Sequence, residues 1–104
     1  MNAIVFATPE GFESTNEADS WWREHNTPPD AFRKDFDEAM ELLARFPDLG
    51  PPFARRGIPG LRRLLLRRVQ VHVYYVHDVS AATVAVICVW STRRRRPRLK
   101  APQW

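Results

Sequence analysis

The 104-residue sequence is poor in the residue types that define several large protein classes. Its one cysteine, Cys88, excludes an internal disulfide and a cysteine-based metal cluster, and we expect this thiol to be buried rather than nucleophilic. No apolar run approaches the roughly 20 residues that a membrane-spanning helix needs. The first residues lack the basic start and long apolar stretch of a secretory signal peptide. These absences predict one cytoplasmic domain over residues 1–104, with no membrane segment.

Acidic residues are nearly missing from the second half of the chain. Residues 1–50 carry eleven acidic and four basic side chains, whereas residues 51–104 carry twelve basic side chains and one acidic residue, Asp78. This asymmetry predicts that the second half faces a polyanion or an acidic partner. The alternative is that the two halves neutralise each other within the fold.

The densest positive charge is the stretch STRRRRPRLK near the C-terminus. Its first arginines follow directly on an apolar strand, so we expect Arg93 and Arg94 to be held near a sheet. Arg95–Lys100 is predicted to be mobile, because proline opposes further strand pairing. Adjacent positive charges repel one another and are stabilised by an acidic partner. The basic tail, residues 95–104, is therefore a predicted binding segment.

Two helices are predicted in the first half, after a strand at Ile4–Ala7. Thr8 can cap the first helix with Pro9 at its first position. The second helix is predicted to start with Thr27 as its cap and the following prolines in its first turn. Its apolar residues then recur at helical spacing over residues 32–46.

The second half changes to strand periodicity after a loop rich in proline and glycine over residues 47–60. LRRLLL is one strand, and Val69–Val76 is a second with a clear period of two. Thr83–Trp90 is apolar on both faces, which is typical of a central strand. The order predicts an α+β fold, in which a helical hairpin covers one face of a small sheet. That sheet combines the N-terminal strand with a three-stranded antiparallel meander.

The strand alternation also assigns side chains to faces. Val69, Val71, Val73 and Tyr75 are predicted on one face, with Gln70, His72 and Tyr74 on the other. Arg62 and Arg63 are neighbours in a strand, so their side chains point to opposite faces and one alone joins a given surface. Arg67 and Arg68 lie at the predicted turn into the next strand and are expected to be solvated.

The ordered motifs resemble the RelE/ParE family of bacterial type II toxins over nearly the whole chain. The resemblance rests on the opening strand followed by TPE, on ARFPDLGPP, on GIPGLRRLLLRRVQVHVYYVHD and on VICVWSTRRRRPRL. The ParE-like branch is the most similar. The resemblance implies a toxin that a cognate acidic antitoxin binds and silences, in a hetero-oligomer. ParE-like members interfere with DNA gyrase, whereas RelE-like members cut messenger RNA on the ribosome.

The nuclease alternative needs a base, an acid and cations around the reacting phosphate. Its candidate residues are His72, Arg62, Arg63, Tyr74 and Arg93. RelE-like nucleases usually carry an arginine where His72 stands, and a tyrosine or histidine near the C-terminus. After Trp90 this chain has no tyrosine and no histidine. These two departures from the RelE-like pattern favour a ParE-like toxin that is not itself an enzyme. If the protein is an enzyme, we expect a metal-independent endoribonuclease.

A binding role draws on a wider set of residues. For contact with the antitoxin or the target, the candidates are Trp21, Trp22, Arg62, Arg67, Arg68, Arg93, Arg94, Arg95 and Arg96. A third reading is a non-toxic module whose basic half binds nucleic acid. The three histidines show no ligand spacing and no glycine-rich phosphate loop occurs, so we predict no metal and no cofactor.

Overall fold

The computed structural model describes residues 2–103. The elements are β1 (Ile4–Ala7), α1 (Pro9–His25), α2 (Ala31–Arg45), β2 (Leu61–Leu66), β3 (Val71–Asp78) and β4 (Thr83–Ser91). The strands form one sheet in the order β1-β4-β3-β2, in which β1 runs parallel to β4 and the other pairs are antiparallel. The predicted α+β fold is confirmed, and the long connection that brings β1 to the meander is the helical pair.

Helix α1 begins as predicted and lies directly against β4. Thr8 Oγ1 accepts a hydrogen bond from Gly11 N at 3.1 Å, while Thr8 N donates to Val86 O at 3.0 Å. A Cβ atom on Gly11 would lie 2.1 Å from Val86 O, so this contact requires glycine. Farther along, Ser14 Oγ accepts a hydrogen bond from Val89 N at 2.9 Å. Helix α1 thus occupies the edge of β4 beyond the short strand β1.

The predicted start of α2 is wrong. The helix begins at Ala31, and Asp30 precedes it without a side-chain capping bond. Pro28 O accepts hydrogen bonds from Ala31 N at 3.2 Å and from Trp22 Nε1 at 2.9 Å. The prolines therefore lie in the turn between the helices, and the carbonyl group of Pro28 closes that turn against α1. Thr27 lies in that turn and caps no helix.

The predicted start of β3 is also shifted by two residues. Gln70 has a φ of 54°, in the left-handed region, and its side-chain amide donates to Arg67 O at 2.6 Å. Residues 67–70 are therefore a turn, and β3 runs from Val71 to Asp78. A hydrogen bond from the polar side chain of Gln70 spans this turn, and strand alternation does not reveal it.

The helices close one face of the sheet, which we call the helix face. Phe32 and Leu43 of α2 have no exposed area and pack in the same cluster as Val73 of β3. The predicted face assignment is confirmed: Val69, Val71, Val73 and Tyr75 all belong to this cluster. Central strand β4 contributes to it as well, through Val84 and Val86.

The opposite face, which we call the outer face, has a second apolar cluster. Its buried members are Ile58, Leu61, Tyr74, Val76, Ala85, Ile87 and Cys88. A register shift between Tyr74 and Tyr75 places the consecutive residues Ile87 and Cys88 on this same face. The prediction that Cys88 is buried and that β4 is covered on both sides is confirmed.

The basic tail differs from the expectation of a mobile segment. Pro97 is buried, and Leu99 packs against the outer-face cluster. Lys100 Nζ lies 3.9 Å from Glu10 Oε2 at the start of α1. The proline does prevent strand pairing, as predicted, but apolar contacts fold the segment back over the sheet. Within residues 2–103, no helix combines the length and the apolar character needed to cross a bilayer.

Candidate functional site

The outer face carries a continuous stack of cationic and aromatic side chains. The Arg63 guanidinium lies 4.3 Å from the centre of the Phe53 ring, and Arg55 approaches the same ring at 5.6 Å. Phe53 meets Tyr74 edge-on at 5.6 Å, and Tyr74 meets His72 edge-on at 6.0 Å. We call these five residues the cation–aromatic stack. Such contacts fix the guanidinium groups in place while leaving their charge available.

Two segments bring the stack together. In the β2–β3 pair Arg63 stands opposite Tyr74, which sets both side chains on the outer face. Phe53 comes from the loop before β2, where Phe53 N donates to Leu61 O at 3.0 Å and Arg63 N donates to Pro51 O at 3.1 Å. The loop thus pairs with the edge of β2 and delivers an aromatic ring onto the sheet.

His72 is the titratable group of the stack with a perturbed environment. Partial burial, assisted by the positive charge of Arg63, lowers the pKa of His72 below its usual value. The imidazole is therefore neutral at neutral pH and able to accept a proton. Tyr74 is only 4% exposed, so its ring acts as a wall of the site.

Beyond His72, the same face continues onto Trp90 of β4. His72 stands opposite Trp90 in the β3–β4 pair. The Arg94 guanidinium lies 3.6 Å from the centre of an indole ring of Trp90, and Trp90 Nε1 donates a hydrogen bond to Arg95 O. The prediction that Arg93 and Arg94 stay near the sheet holds for Arg94, because this aromatic contact anchors it. Arg93 has an exposed side chain at the end of β4.

Arg62 points away from the stack, as the strand alternation predicts. Its Nη1 donates to Gly50 O at 2.8 Å, and its Nε lies 3.3 Å from Asp48 Oδ1. A hydrogen bond of 2.8 Å joins the same carboxylate to His77 Nδ1. That bond, with a smaller contribution from Arg62, lowers the pKa of Asp48. The structure therefore separates Arg62 from His72 and places it in a network that fastens the loop after α2.

The arginines of the β2–β3 turn have different roles. Arg68 binds Asp35 of α2 through two nitrogens, at 2.6 and 3.0 Å, and this pairing raises the pKa of Arg68. It thus ties the turn to the helix layer, although its side chain is still half exposed. Arg67 is exposed, as predicted for a solvated turn residue. Pairs such as Arg68–Asp35 and Lys100–Glu10 show that the two halves neutralise each other in part.

A groove lies on the helix face, where α1 diverges from the sheet. Its volume is about 340 Å³, and its lining comprises Ser14, Glu17, Ala18, Trp21, Trp22, Phe32, Val69, Val71, Val89, Ser91 and Arg94. Trp21 is 53% exposed and stacks on His25, one helical turn further on, with ring centres 4.5 Å apart. We call this cavity the α1 groove. Its floor is apolar, and its rim carries one arginine and one glutamate.

The sequence-predicted residues therefore separate into distinct places. Arg63, His72 and Tyr74 join the cation–aromatic stack, and Trp21, Trp22 and Arg94 line the α1 groove. The side chains of Arg95 and Arg96 are exposed on the tail. Sequence reasoning missed Phe53 and Arg55. Their signal was the phrase PPFARR, in which an aromatic residue and two arginines interrupt a loop of turn-forming residues.

No group of three or more histidine, cysteine, aspartate or glutamate side chains within residues 2–103 is arranged to hold a metal ion. The outer face itself presents fixed cations, aromatic rings and the imidazole of His72. Such a surface suits an anionic or aromatic ligand.

The fold is that of the RelE toxins. The chain is similar to an arginine-to-alanine double mutant of E. coli RelE in the free state, with a TM-score of 0.61 and 16% identity over 89% of this chain and 86% of that chain. It is similar to a RelBE2 toxin–antitoxin complex of Mycobacterium tuberculosis, with a TM-score of 0.63 and 22% identity over 88% of this chain and 99% of that chain. The intact E. coli RelBE toxin–antitoxin complex matches with a TM-score of 0.61 and 16% identity, over 88% and 99% of the respective chains. No family model matches the sequence, and no curated protein matches it.

Proposed function

We propose that this chain is the toxin of a bacterial type II toxin–antitoxin pair and that a cognate antitoxin neutralises it by binding. The observation that supports this most directly is the shared fold with the RelE toxins. The motifs that carry the sequence resemblance also lie on the elements that build this fold. GLRR opens β2, the paired tyrosines lie in β3, and Trp90 precedes the end of β4.

For the target, we infer a ParE-like action on DNA gyrase. RNA cleavage by the neighbouring 2′-hydroxyl requires one group that accepts a proton and another that donates one. The outer face supplies several cations, but His72 is the one accessible proton carrier that the described stack offers. Tyr74 is buried, and the sequence has no histidine or tyrosine after Trp90. A cationic surface with a single proton carrier is better suited to binding than to cleavage.

Purified chain and purified gyrase test this target directly. The expected result is inhibited supercoiling, with DNA cleaved in a gyrase-dependent manner as the chain concentration rises. Supercoiling that stays unaffected at saturating chain would contradict the gyrase target. If expression of the chain nevertheless arrests growth, the chain is still a toxin, and RNA becomes the target to test.

The second candidate is a RelE-like ribosome-dependent endoribonuclease, and the neutral imidazole of His72 beside Arg63 favours it. Primer extension on translated messenger RNA after induction would reveal new 5′ ends. His72→Ala should abolish them if His72 is the base. The matched control is His25→Ala, which removes an exposed histidine from α1 on the other side of the molecule. Full cleavage by His72→Ala would exclude this assignment of the base.

Either target predicts that toxicity depends on the outer face. Arg63→Gln removes the central cation of the stack, so cells expressing it should grow at close to the uninduced rate. Arg33→Gln removes the same charge from the exposed side of α2, and toxicity should persist. Equal loss of toxicity in both variants would mean that net charge matters and the stack does not.

The α1 groove supports the antitoxin half of the proposal. Its apolar floor accepts a bulky side chain, and Arg94 at its rim favours an acidic residue beside that anchor. Trp21→Ala should weaken capture of the chain by the antitoxin encoded in the neighbouring reading frame. Phe12→Ala is the matched control, because it removes an exposed aromatic ring of α1 that lies outside the groove. Undiminished capture by Trp21→Ala would place the antitoxin elsewhere.

A further inference from the structure

The loop between α2 and β2 passes from one face of the sheet to the other, and we call residues 47–60 the edge loop. Gly50 N donates a 2.9 Å hydrogen bond to the hydroxyl of Tyr75, whose ring belongs to the helix-face cluster. Farther along the loop, Phe53 packs against the outer-face cluster. Because β2 is an edge strand, the chain makes this crossing around the side of β2 that does not pair with β3.

Side chains from two strands hold Gly50 at the start of this crossing. Besides the bond to Tyr75, Gly50 O accepts a 2.8 Å hydrogen bond from Arg62 Nη1. Gly50 is buried, and a Cβ atom on it would lie 3.0 Å from the Tyr75 hydroxyl and 3.1 Å from the carbonyl carbon of Arg63. Strand side chains thus bond both the N–H and the carbonyl of Gly50, in a space that admits no larger residue without a shift.

The burial of Tyr75 suits it to this contact. The residue has no exposed area, and burial raises the pKa of its hydroxyl, which keeps the group uncharged near neutral pH. Moving Gly50 away would leave a buried hydroxyl and a buried N–H without this bond. Unpaired buried groups cost more free energy than the bond itself contributes, so one position of Gly50 is strongly favoured.

A stiff link passes the position of Gly50 on to the outer face. Pro51 and Pro52 separate Gly50 from Phe53, and a proline fixes its own φ and restricts the residue before it. Pro51 O also accepts a hydrogen bond from Arg63 N at 3.1 Å. A shift of Gly50 therefore moves the Phe53 ring relative to the Arg63 guanidinium, which lies over that ring.

From these contacts we infer that Tyr75 and Arg62 are positioning residues for the cation–aromatic stack, to which neither belongs. They act through Gly50, from the opposite face of the sheet, and set where the edge loop places Phe53 and Arg55. The inference rests on the proposed function to the extent that toxicity depends on the stack. The position of the edge loop is a property of the purified chain and can be measured without any target.

The first test removes the hydrogen-bond acceptor and keeps the ring. In Tyr75→Phe, Gly50 N loses its partner, so the edge loop should open locally more often. Amide hydrogen exchange of the full chain, followed by NMR, should become about fivefold faster at Gly50 and Phe53. The amides of Ala39 and Leu43 in α2 should stay within about twofold of the parent chain, because they exchange through larger openings.

Tyr74→Phe is the matched control for exchange. It removes the same hydroxyl group one residue earlier, from a ring that contacts Phe53 on the outer face. Exchange at Gly50 should stay within about twofold of the parent chain in this variant. An unchanged rate at Gly50 in Tyr75→Phe would overturn the inference. Equal acceleration at Gly50 and Leu43 would also overturn it, because the hydroxyl would then stabilise the whole fold.

The second test displaces the loop from the other side of the same contact. The backbone of Gly50 lies outside the left-handed region, so alanine is permitted there, but its added carbon meets Tyr75. In Gly50→Ala the amide chemical shifts of Phe53 and Arg55 should change, while those of α2 should match the parent chain. Growth arrest should require roughly tenfold more inducer, because a binding surface tolerates little displacement of its contact groups.

Capture by the antitoxin separates positioning from stability. Capture of Gly50→Ala should stay within about twofold of the parent chain, since the α1 groove is lined by other residues. Equal losses of toxicity and capture would show a general loss of folded chain and would contradict the inference. A displaced loop with full toxicity would contradict the link between the edge loop and the stack.

Failure of the proposed function gives a different result. A parent chain that does not arrest growth would refute the toxin assignment, and the exchange comparison would still decide whether Tyr75 holds the edge loop. If Gly50→Ala does not fold, Tyr75→Phe takes its place in the growth and capture assays. Tyr75→Phe keeps the shape of the buried ring, and it should weaken growth arrest without weakening capture.

Discussion

The two faces of the sheet are closed by different kinds of structure. Regular helices cover the helix face, where Phe32, Leu43 and Val73 have no exposed area. Irregular segments cover the outer face, where a loop contributes Phe53 and the segment after β4 contributes Leu99. The helix face therefore concentrates the stability of the fold, and the outer face leaves cations and aromatic rings at the surface. The contrast explains how so small a chain combines a buried core with a surface that presents cations and aromatic rings.

Adjacent residues of β2 show the same division on the smallest scale. Arg62 points to the helix face, where Gly50 O and Asp48 occupy its guanidinium. Arg63 points to the outer face, where its guanidinium lies over the rings of Phe53 and Tyr74. Hydrogen bonds hold the Arg62 guanidinium in place, which is a structural role. The Arg63 guanidinium is the one for which we propose a role in binding.

The largest expected effect compares aromatic deletions on the two faces. Phe32→Ala should lower the free energy of unfolding by about 3–5 kcal/mol, because it leaves a cavity that the helices do not collapse into. Phe53→Ala should cost roughly 1–2 kcal/mol, since the loop that carries this ring is partly solvated. Urea denaturation followed by circular dichroism measures both. Equal losses would remove the proposed difference between the faces.

A second prediction concerns the contact between α1 and β4. Gly11→Ala should cost about 1–3 kcal/mol, because the added carbon must push Val86 O away from the helix. Helix propensity alone would favour alanine at this position, so the sign of the change tests the packing argument. Ser20→Ala on the exposed side of α1 is the control and should leave the denaturation midpoint close to that of the parent chain.

The third prediction separates the neighbouring arginines of β2. Arg62→Gln should lower the free energy of unfolding by about 1–2 kcal/mol, because it breaks the bonds to Gly50 O and Asp48. Arg63→Gln should change it by less than about 1 kcal/mol, since only its ring contacts are lost. Thermal denaturation measures stability, and growth after induction measures toxicity. Arg62→Gln with unchanged stability would contradict the structural role assigned to Arg62.

The smallest expected effect is a pH dependence that comes from the outer face. The folded state lowers the pKa of His72 below the ordinary value of 6.5, so the unfolded chain binds a proton more readily as the pH falls. Stability should therefore decrease below about pH 6.5, and His72→Gln should reduce that decrease. Denaturation midpoints of both chains, measured across this range, provide the test. An identical pH dependence would mean that the folded chain does not perturb His72.

Local sequence patterns predicted most of the elements because their causes are local. The threonine–proline pair starts α1 at Pro9, and the alternation in β3 assigns Val71, Val73 and Tyr75 to one face. The predictions failed where a distant contact overrides the local preference. Thr27 would cap a helix in isolation, but Pro28 O is bonded to Trp22 and Ala31 and forms a turn instead.

The candidate site divides in the same way. Alternation predicted that Arg62 and Arg63 separate and that His72 shares a face with Tyr74. It did not predict Phe53, because a loop residue carries no period and reaches the sheet only through the pairing of residues 51–53 with β2.

By itself, the sequence determined the order of the elements, the apolar faces that must be buried and the division of charge between the halves. Those properties follow from periodicity and composition, which each segment carries without reference to the others. Only the tertiary structure decided which group each cation contacts: Arg68 pairs with Asp35, Arg63 lies over Phe53, and Arg94 lies over Trp90. The reason is that a cation acquires its role from the groups that surround it, and here those groups come from distant parts of the chain.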